Sequence, residues 1–203
     1  MIYVYRQEID GVWFAGGLEN ERVFATSFST NEEAAMQSIA VSLPRNVPFK
    51  KNAQLSIRAV KLLNTLKTAF EGKDVASTFQ IALDHLPAYT RSVLECVSVV
   101  PIGYVTTYGA VAKVSGAGPR AVGQAVASNP VPLLIPCHRV VRADFSLGGY
   151  GMGERMKLLL LQRENKQYLE AKKLNMNEKV LSVFPKVTKA ILWLEINTRE
   201  HNQ

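Results

Sequence analysis

A chain of 203 residues, 47% hydrophobic and 20% charged, can bury a core in one large or two small domains and has the composition of an ordinary globular protein. No apolar run approaches the ~18 residues of a membrane span, and Met1 to Asp10 already carries Arg6, Glu8 and Asp10 where a signal peptide would be apolar, so no membrane partner and an intracellular location are expected. Net charge is +7 and unevenly placed: residues 1–88 carry nine basic and nine acidic groups, 89–165 eight against four and 166–203 seven against four, a distribution that fits a polyanionic partner of the later parts.

Ile2 to Tyr5, Gly11 to Ala15 and Val23 to Phe28 are short β-branched and aromatic runs separated by Asp10-Gly11 and by Glu19-Asn20-Glu21, which predicts two or three antiparallel strands. Thr30, with Glu33 three residues on, reads as a capping box, and Ala35, Ile39 and Leu43 carry that helix to Pro44. A loop with Pro44 and Pro48 comes next. From about Ala53, residues Leu55, Ala59, Leu62, Leu63, Leu66 and Phe70 recur at helical spacing until Gly72 stops the helix. Phe79, Ile81 and Leu83 alternate as one more strand. Residues 1–86 are thus expected to form a small α+β domain with no catalytic constellation, Trp13 being most simply part of its core.

After Pro87 the texture changes, and residues 87–165 are expected to form a mainly helical domain. Tyr89 to Val100 places Val93, Leu94, Val97 and Val100 on one helical face with Cys96 adjoining it, which makes Cys96 a core residue. Pro101 and Gly103 end that helix. Tyr108 to Val114 and Pro119 to about Ala127 then read as two short helices joined by Ser115-Gly116-Ala117-Gly118, a helix-turn-helix in outline, although many such pairs do not read DNA. The second helix is nearly bare: Gly118, Ala121, Gly123, Ala125 and Ala127 leave Arg120 as its only charge, at a cost in helix propensity. Such a helix can approach another surface closely; in a duplex groove its arginine can reach between bases. Arg155 to Glu164 is a further helix with Leu158 to Leu161 inward. In 166–203, Val180, Leu181, Phe184, Val187, Ile191, Leu192 and Leu194 predict a helical extension interrupted by Pro185, which either docks on the body or binds a protein partner through Trp193.

The chemistry is expected at Leu134 to Val140, Leu-Ile-Pro-Cys-His-Arg-Val, where an apolar run ends at a proline and delivers three reactive or charged side chains in succession. Sulfur is the strongest side-chain nucleophile, but only as thiolate, a minor form of an ordinary cysteine (pKa ~8.5) at neutral pH. A nearby base must take the proton. His138 is the candidate, yet neighbours in an extended segment point to opposite faces, so contact with Cys137 needs a turn or a bridging water. Cys96 and Cys137 are too few for a disulfide framework, and His85, His138 and His201 are scattered, so neither a metal nor a cofactor is expected. The competing reading of Cys137 is a buried, inert thiol.

Pro136-Cys137-His138-Arg139-Val140, preceded by Asn129-Pro130-Val131-Pro132, resembles the active-site motif of the 6-O-methylguanine-DNA methyltransferases, and the similarity runs from about Ala88 to Glu164. The resemblance implies a ribonuclease-H-like N-terminal α+β domain followed by a winged-helix-like domain carrying the helix-turn-helix. It implies one irreversible alkyl transfer from 6-O-alkylguanine in double-stranded DNA to Cys137, by a monomer found in the nucleoid-bearing cytoplasm or, in a eukaryote, in the nucleus. Arg120 then matches the finger that fills the gap left by an everted nucleotide, with Ala121 and Gly123 on the same minor-groove helix. Tyr108 matches the tyrosine that rotates the phosphate and protonates the departing base. Asn129 matches the residue that pins the turn beneath Cys137, and Glu164 the buried carboxylate that orients His138. Val140, Tyr150, Gly151 and Met152 match the base pocket, within a mobile glycine-rich loop from Ser146 to Gly153. Gly151 replaces the family's usual small polar residue, and 165–203 departs from the family, whose chains usually stop near this helix. Two other readings stay open: a lesion-binding protein of the same fold that transfers nothing, whose known members have tryptophan in place of the cysteine, and a cysteine hydrolase.

Overall fold

Asp10 and Gly11, with φ of 52° and 76°, reverse the chain between β1 (Ile2–Ile9) and β2 (Val12–Glu19), the paired positive φ values that a two-residue hairpin turn requires. A second hairpin at Asn20 leads into β3 (Arg22–Ser29). The computed structural model describes residues 1–51, 54–75, 79–164, 172–176 and 179–185. They fall into two units: Met1–Ala88 with Ser128–Ile135, and Tyr89–Ala127 with Pro136–Gln203.

In the first unit β1, β2 and β3 pair antiparallel, and short strands β4 (Phe49–Lys51) and β5 (Gln80–Ile81) add in parallel at the edges, in the order β4-β1-β2-β3-β5. Helices α1 (Glu32–Ser42) and α2 (Ile57–Phe70) cover opposite faces. The alternation of β2 shows why: a Cβ on Gly16 would lie 2.4 Å from Leu62 of α2, while one on Gly17 would lie 3.0 Å from Leu43 at the end of α1. Phe14 and Phe28 meet Phe70 on the first face; Ile2, Val4, Ala15, Ala25, Ile39 and Leu43 close the second.

Four expectations shift here. The cap of α1 is Asn31, whose side chain accepts from Ala34 N–H at 2.9 Å, one residue after Thr30, because asparagine binds the first-turn amide as well as threonine does. Helix α2 begins at Ile57, capped by Ser56, and not near Ala53. The segment after Pro48 is a strand, β4, and the expected run from Phe79 to Leu83 shortens to β5.

The second unit opens with α3 (Ala88–Ser98), which buries Val93, Leu94, Cys96 and Val97. Strand β6 (Tyr104–Thr107) then feeds α4 (Tyr108–Ser115), capped by Thr107 at one end and by Gly116 in the left-handed region at the other. Helix α5 (Pro119–Ala127), strand β7 (Val140–Val141) and helix α6 (Glu154–Arg163) come after it. This unit is less helical than expected, because β6 is the centre of a second sheet, β7-β6-β9-β8. Its last two strands, β8 (Lys172–Met176) and β9 (Lys179–Pro185), correct the expectation of a helical extension over those residues. Leu181 and Val183 are fully buried while Val180 is exposed and Ser182 half-buried, a period of two. An apolar run this short fits either period, and the free edge of β6 decides it. Trp193 and the rest of 186–203 lie outside the described residues. Mixed α+β architecture is thus the fold class, and among the described residues no helix is long and apolar enough to cross a membrane.

Candidate active site

The approach to Cys137 is a loop held by its own side chains. Asn129 Nδ2 donates to the Ile135 carbonyl at 3.0 Å and its Oδ1 accepts from Val131 N–H at 3.1 Å, closing the turn through Pro130 and Pro132. Thr26 of β3 also holds this loop, donating its amide to the Pro130 carbonyl and its hydroxyl to that of Pro132. Ile135 ends the segment, and Pro136 starts one turn of 3-10 helix over Cys137–Arg139. Asn129 thus fixes backbone two residues before the cysteine along the chain.

That turn takes Cys137 and His138 out of the extended conformation. Both Cys137 and His138 are buried, the latter at 2% exposure. His138 Nε2 lies 2.8 Å from Glu164 Oε1, at the C-terminal cap of α6, also at 2% exposure. Arg139 completes the cluster. Its Nε lies 3.1 and 3.2 Å from the two carboxylate oxygens, its Nη2 2.7 Å from Oε1, and its Nη1 donates to the Val100 carbonyl. Burial alone would raise the Glu164 pKa, but the facing His138 and Arg139 outweigh it and hold it at about 2. Burial lowers the pKa of His138 in spite of the carboxylate beside it. A neutral imidazole against an ionised carboxylate must donate from Nε2, which leaves the Nδ1 lone pair as the basic site. Nδ1 is buried and has no protein partner among the described residues.

One residue within reach of the charge on Cys137 escaped sequence reasoning. Lys157 is fully buried on α6, and its ammonium donates to the carbonyls of Val140 at 2.7 Å, Leu147 at 2.6 Å and Gly149 at 3.2 Å. Burial depresses its pKa to about 8, opposed by the negative charge available at Cys137. The signal was there: Lys157 lies three, four and seven positions before Leu160, Leu161 and Glu164, the buried stripe of α6. Leu158 and Leu159, expected to point inward, are only half-buried.

Lys157 also fastens the glycine-rich loop, whose expected freedom is reduced by the two bonds to Leu147 and Gly149. Tyr108, the first residue of α4, stacks near the Lys157 ammonium, 5.9 Å from ring centroid to Nζ, and directs its hydroxyl at the Gly149 carbonyl, 3.5 Å away. Gly148, at φ 67°, is what lets this ring in; a Cβ there would stand 3.1 Å from the Tyr108 hydroxyl. Burial raises the pKa of Tyr108, so it stays a proton donor at neutral pH. Tyr150 buries its hydroxyl beside Cys137, and burial followed by that charge pushes its pKa well up. Val140 is buried, Met152 half-buried and Gly151 exposed.

Helix α5 turns Val122, Ala125 and Val126 inward and leaves Arg120 exposed in its first turn, with open space in front of Gly118 and Gly123. The second unit thus holds Cys137, His138, Glu164, Tyr108, Val140, Tyr150, Gly151, Met152, Arg120, Ala121 and Gly123; Asn129 belongs to the first.

Residues 88–166 match the family model described as 6-O-methylguanine DNA methyltransferase, DNA binding domain. A methylated-DNA–protein-cysteine methyltransferase of Saccharolobus islandicus is 40% identical over 104 residues, which cover 51% of this chain and 68% of that protein. The chain belongs to the methylated-DNA–protein-cysteine methyltransferase family. A second member, from Methanothermobacter thermautotrophicus, is 41% identical over 106 residues, 51% of this chain and 60% of its own. The chain spans about half to two thirds of the length of the curated family members it matches. The fold extends the likeness: the crystal structure of the O6-methylguanine-DNA methyltransferase of Pyrococcus kodakaraensis aligns with a TM-score of 0.65 and 26% identity, over 82% of this chain and all of that one.

Proposed function

We propose that this protein repairs DNA by moving an alkyl group from the 6-oxygen of guanine onto the sulfur of Cys137, once per molecule. The observation that carries the reading is the buried Glu164–His138 couple at 2.8 Å on the turn that presents Cys137. A carboxylate held ionised fixes the imidazole tautomer, and the free Nδ1 lone pair accepts the thiol proton, directly or through water. The thiolate then attacks the alkyl carbon in line with the departing oxygen. The carbon–sulfur bond forms as the carbon–oxygen bond breaks, and the bonding pair leaves on the guanine. Tyr108 donates its hydroxyl proton to that base and is reprotonated from solvent. The thioether does not hydrolyse under mild conditions, so the cysteine is consumed.

The pocket reading draws on the same residues. The Val140 carbonyl takes one hydrogen bond from Lys157 and keeps a second lone pair for the exocyclic amine of guanine. Tyr150, Gly151 and Met152 supply a wall. The bare face of α5 suits a minor groove, with Arg120 replacing an everted nucleotide and Ala121 and Gly123 allowing close approach. On this reading the first unit is a ribonuclease-H-like domain, the second is winged-helix-like, the partner is alkylated duplex DNA and the working form is a monomer in the compartment that holds the DNA.

Counting turnovers tests this. Duplex carrying 6-O-methylguanine, in excess over protein, should be restored up to one equivalent and then no further. Continued turnover would point to a cysteine hydrolase, and tight binding without restoration to a lesion-binding protein.

A further inference from the structure

Helix α4 is only eight residues long, so the last four carbonyls, which no helix can satisfy from within, are half of those it has. Gly116 closes one of them, its left-handed backbone turning its N–H back to the Ala112 carbonyl at 3.0 Å. Val114 is served from far along the chain: Lys179 Nζ donates to its carbonyl at 3.0 Å, across 65 positions of sequence. A lysine at a helix C-terminus meets the negative end of the helix dipole as well as an unpaired acceptor. Lys179 is the first residue of β9, and the family-model match ends at residue 166, so this bond comes from outside the matched residues.

The strand that carries Lys179 is itself fixed. Tyr104 and Val105 of β6 pair antiparallel with Pro185 and Phe184, Thr106 Oγ1 donates to the Ser182 carbonyl at 2.9 Å, and Leu181 and Val183 are fully buried. Because β6 runs directly into α4, β9 holds that segment at both ends, on the strand that enters the helix and on the helix's last turn. Only residues 116–118 separate that turn from α5, whose second residue is the exposed Arg120. We propose that Lys179 is a positioning residue for duplex repair: its bond to Val114 fixes the direction in which the chain leaves α4, and with it the placement of α5 and Arg120 against DNA. Cys137, His138, Lys157 and Glu164 are carried by the 3-10 turn and by α6 and its cap, outside the segment that Lys179 holds. The idea rests on the function proposed above, and it gives residues beyond the family match a part in that function.

The test uses the full chain with Lys179→Met, Lys179→Arg and Arg120→Ala, and the double variant Lys179→Met/Arg120→Ala. Single-turnover transfer from duplex containing 6-O-methylguanine reports the placed helix; reaction with free 6-O-benzylguanine base reports Cys137 without DNA. Lys179→Met should slow transfer from duplex about tenfold, leave the free-base rate at wild type, and add less than about twofold to the loss already caused by Arg120→Ala, because both act through one arginine. Lys179→Arg keeps a cationic donor and should restore the duplex rate. A duplex rate that stays at wild type in Lys179→Met would overturn the proposal. So would losses that multiply in full in the double variant, the mark of a contact with DNA independent of Arg120. A free-base rate that falls with the duplex rate, or no rescue by arginine, would overturn it as the mark of a damaged fold. Failure of the wild-type chain to act on either substrate would overturn the proposed function, and this role with it.

Discussion

Glu164 shows how much of this site depends on one carboxylate. It anchors both His138 and Arg139 inside the protein, so Glu164→Gln leaves a guanidinium with no anion and an imidazole with no fixed tautomer. Removing one partner of a buried charged cluster costs on the order of 3–5 kcal/mol, and the variant should show a lower denaturant midpoint as well as a much slower transfer step. The pH dependence has a definite sign. Because its folded pKa is depressed to about 2, Glu164 contributes stability that is present above the ordinary carboxylate range and lost as pH falls through that range towards 2. Acid titration of the wild type should therefore show a destabilisation below about pH 4.5 that Glu164→Gln lacks. Lys157 acts on the opposite charge. Lys157→Met should raise the pH at which Cys137 reacts with a soluble thiol reagent, through loss of a neighbouring cation. An unchanged profile would reduce Lys157 to a fastener of carbonyls.

At the level of elements, the turn and the loop matter because side chains are placed by backbone. Gly148→Ala would set a methyl 3.1 Å from the Tyr108 hydroxyl on a backbone with φ of 67°. It should slow transfer from DNA about tenfold or more by displacing the Tyr108 hydroxyl, with a smaller effect on thiol reactivity, measured by single-turnover rates beside reagent labelling. Arg120→Ala on α5 should weaken repair of duplex more than reaction with free base; equal losses would argue against a role in base eversion. The long elements could be read from residues because their signals are their own: β1 to β3 are β-branched and aromatic runs set off by turn residues, and α2 and α3 repeat at helical spacing. Strands β4, β5, β6 and β7 are too short to carry a period, and β9 took its conformation from the edge of β6. The same logic applies to the site. Cys137 and His138 stood out from the run of residues around them and Glu164 through motif resemblance, whereas Lys157 drew no notice although it shares the stripe of Leu160, Leu161 and Glu164 that α6 buries. Gly148 looked like one of four glycines in a loop until the ring of Tyr108 was seen against it.

Across the whole molecule, the charge found in the sequence coincides with the unit that holds the site. Residues 1–88 are balanced, and the excess of +7 belongs to residues 89–203, which include α4, α5 and the hairpin. Duplex binding should therefore weaken steeply with salt, and a flat response would remove the electrostatic part of the account. The first unit contributes a sheet with helices on both faces and holds the loop that leads to the cysteine through Thr26 and Asn129. The central claim remains a covalent one. Intact-mass analysis after mixing the protein with duplex containing 6-O-methylguanine should show a gain of one methyl group, located by peptide mapping on Cys137 and absent from Cys137→Ser. An unmodified Cys137 recovered alongside restored guanine would contradict it.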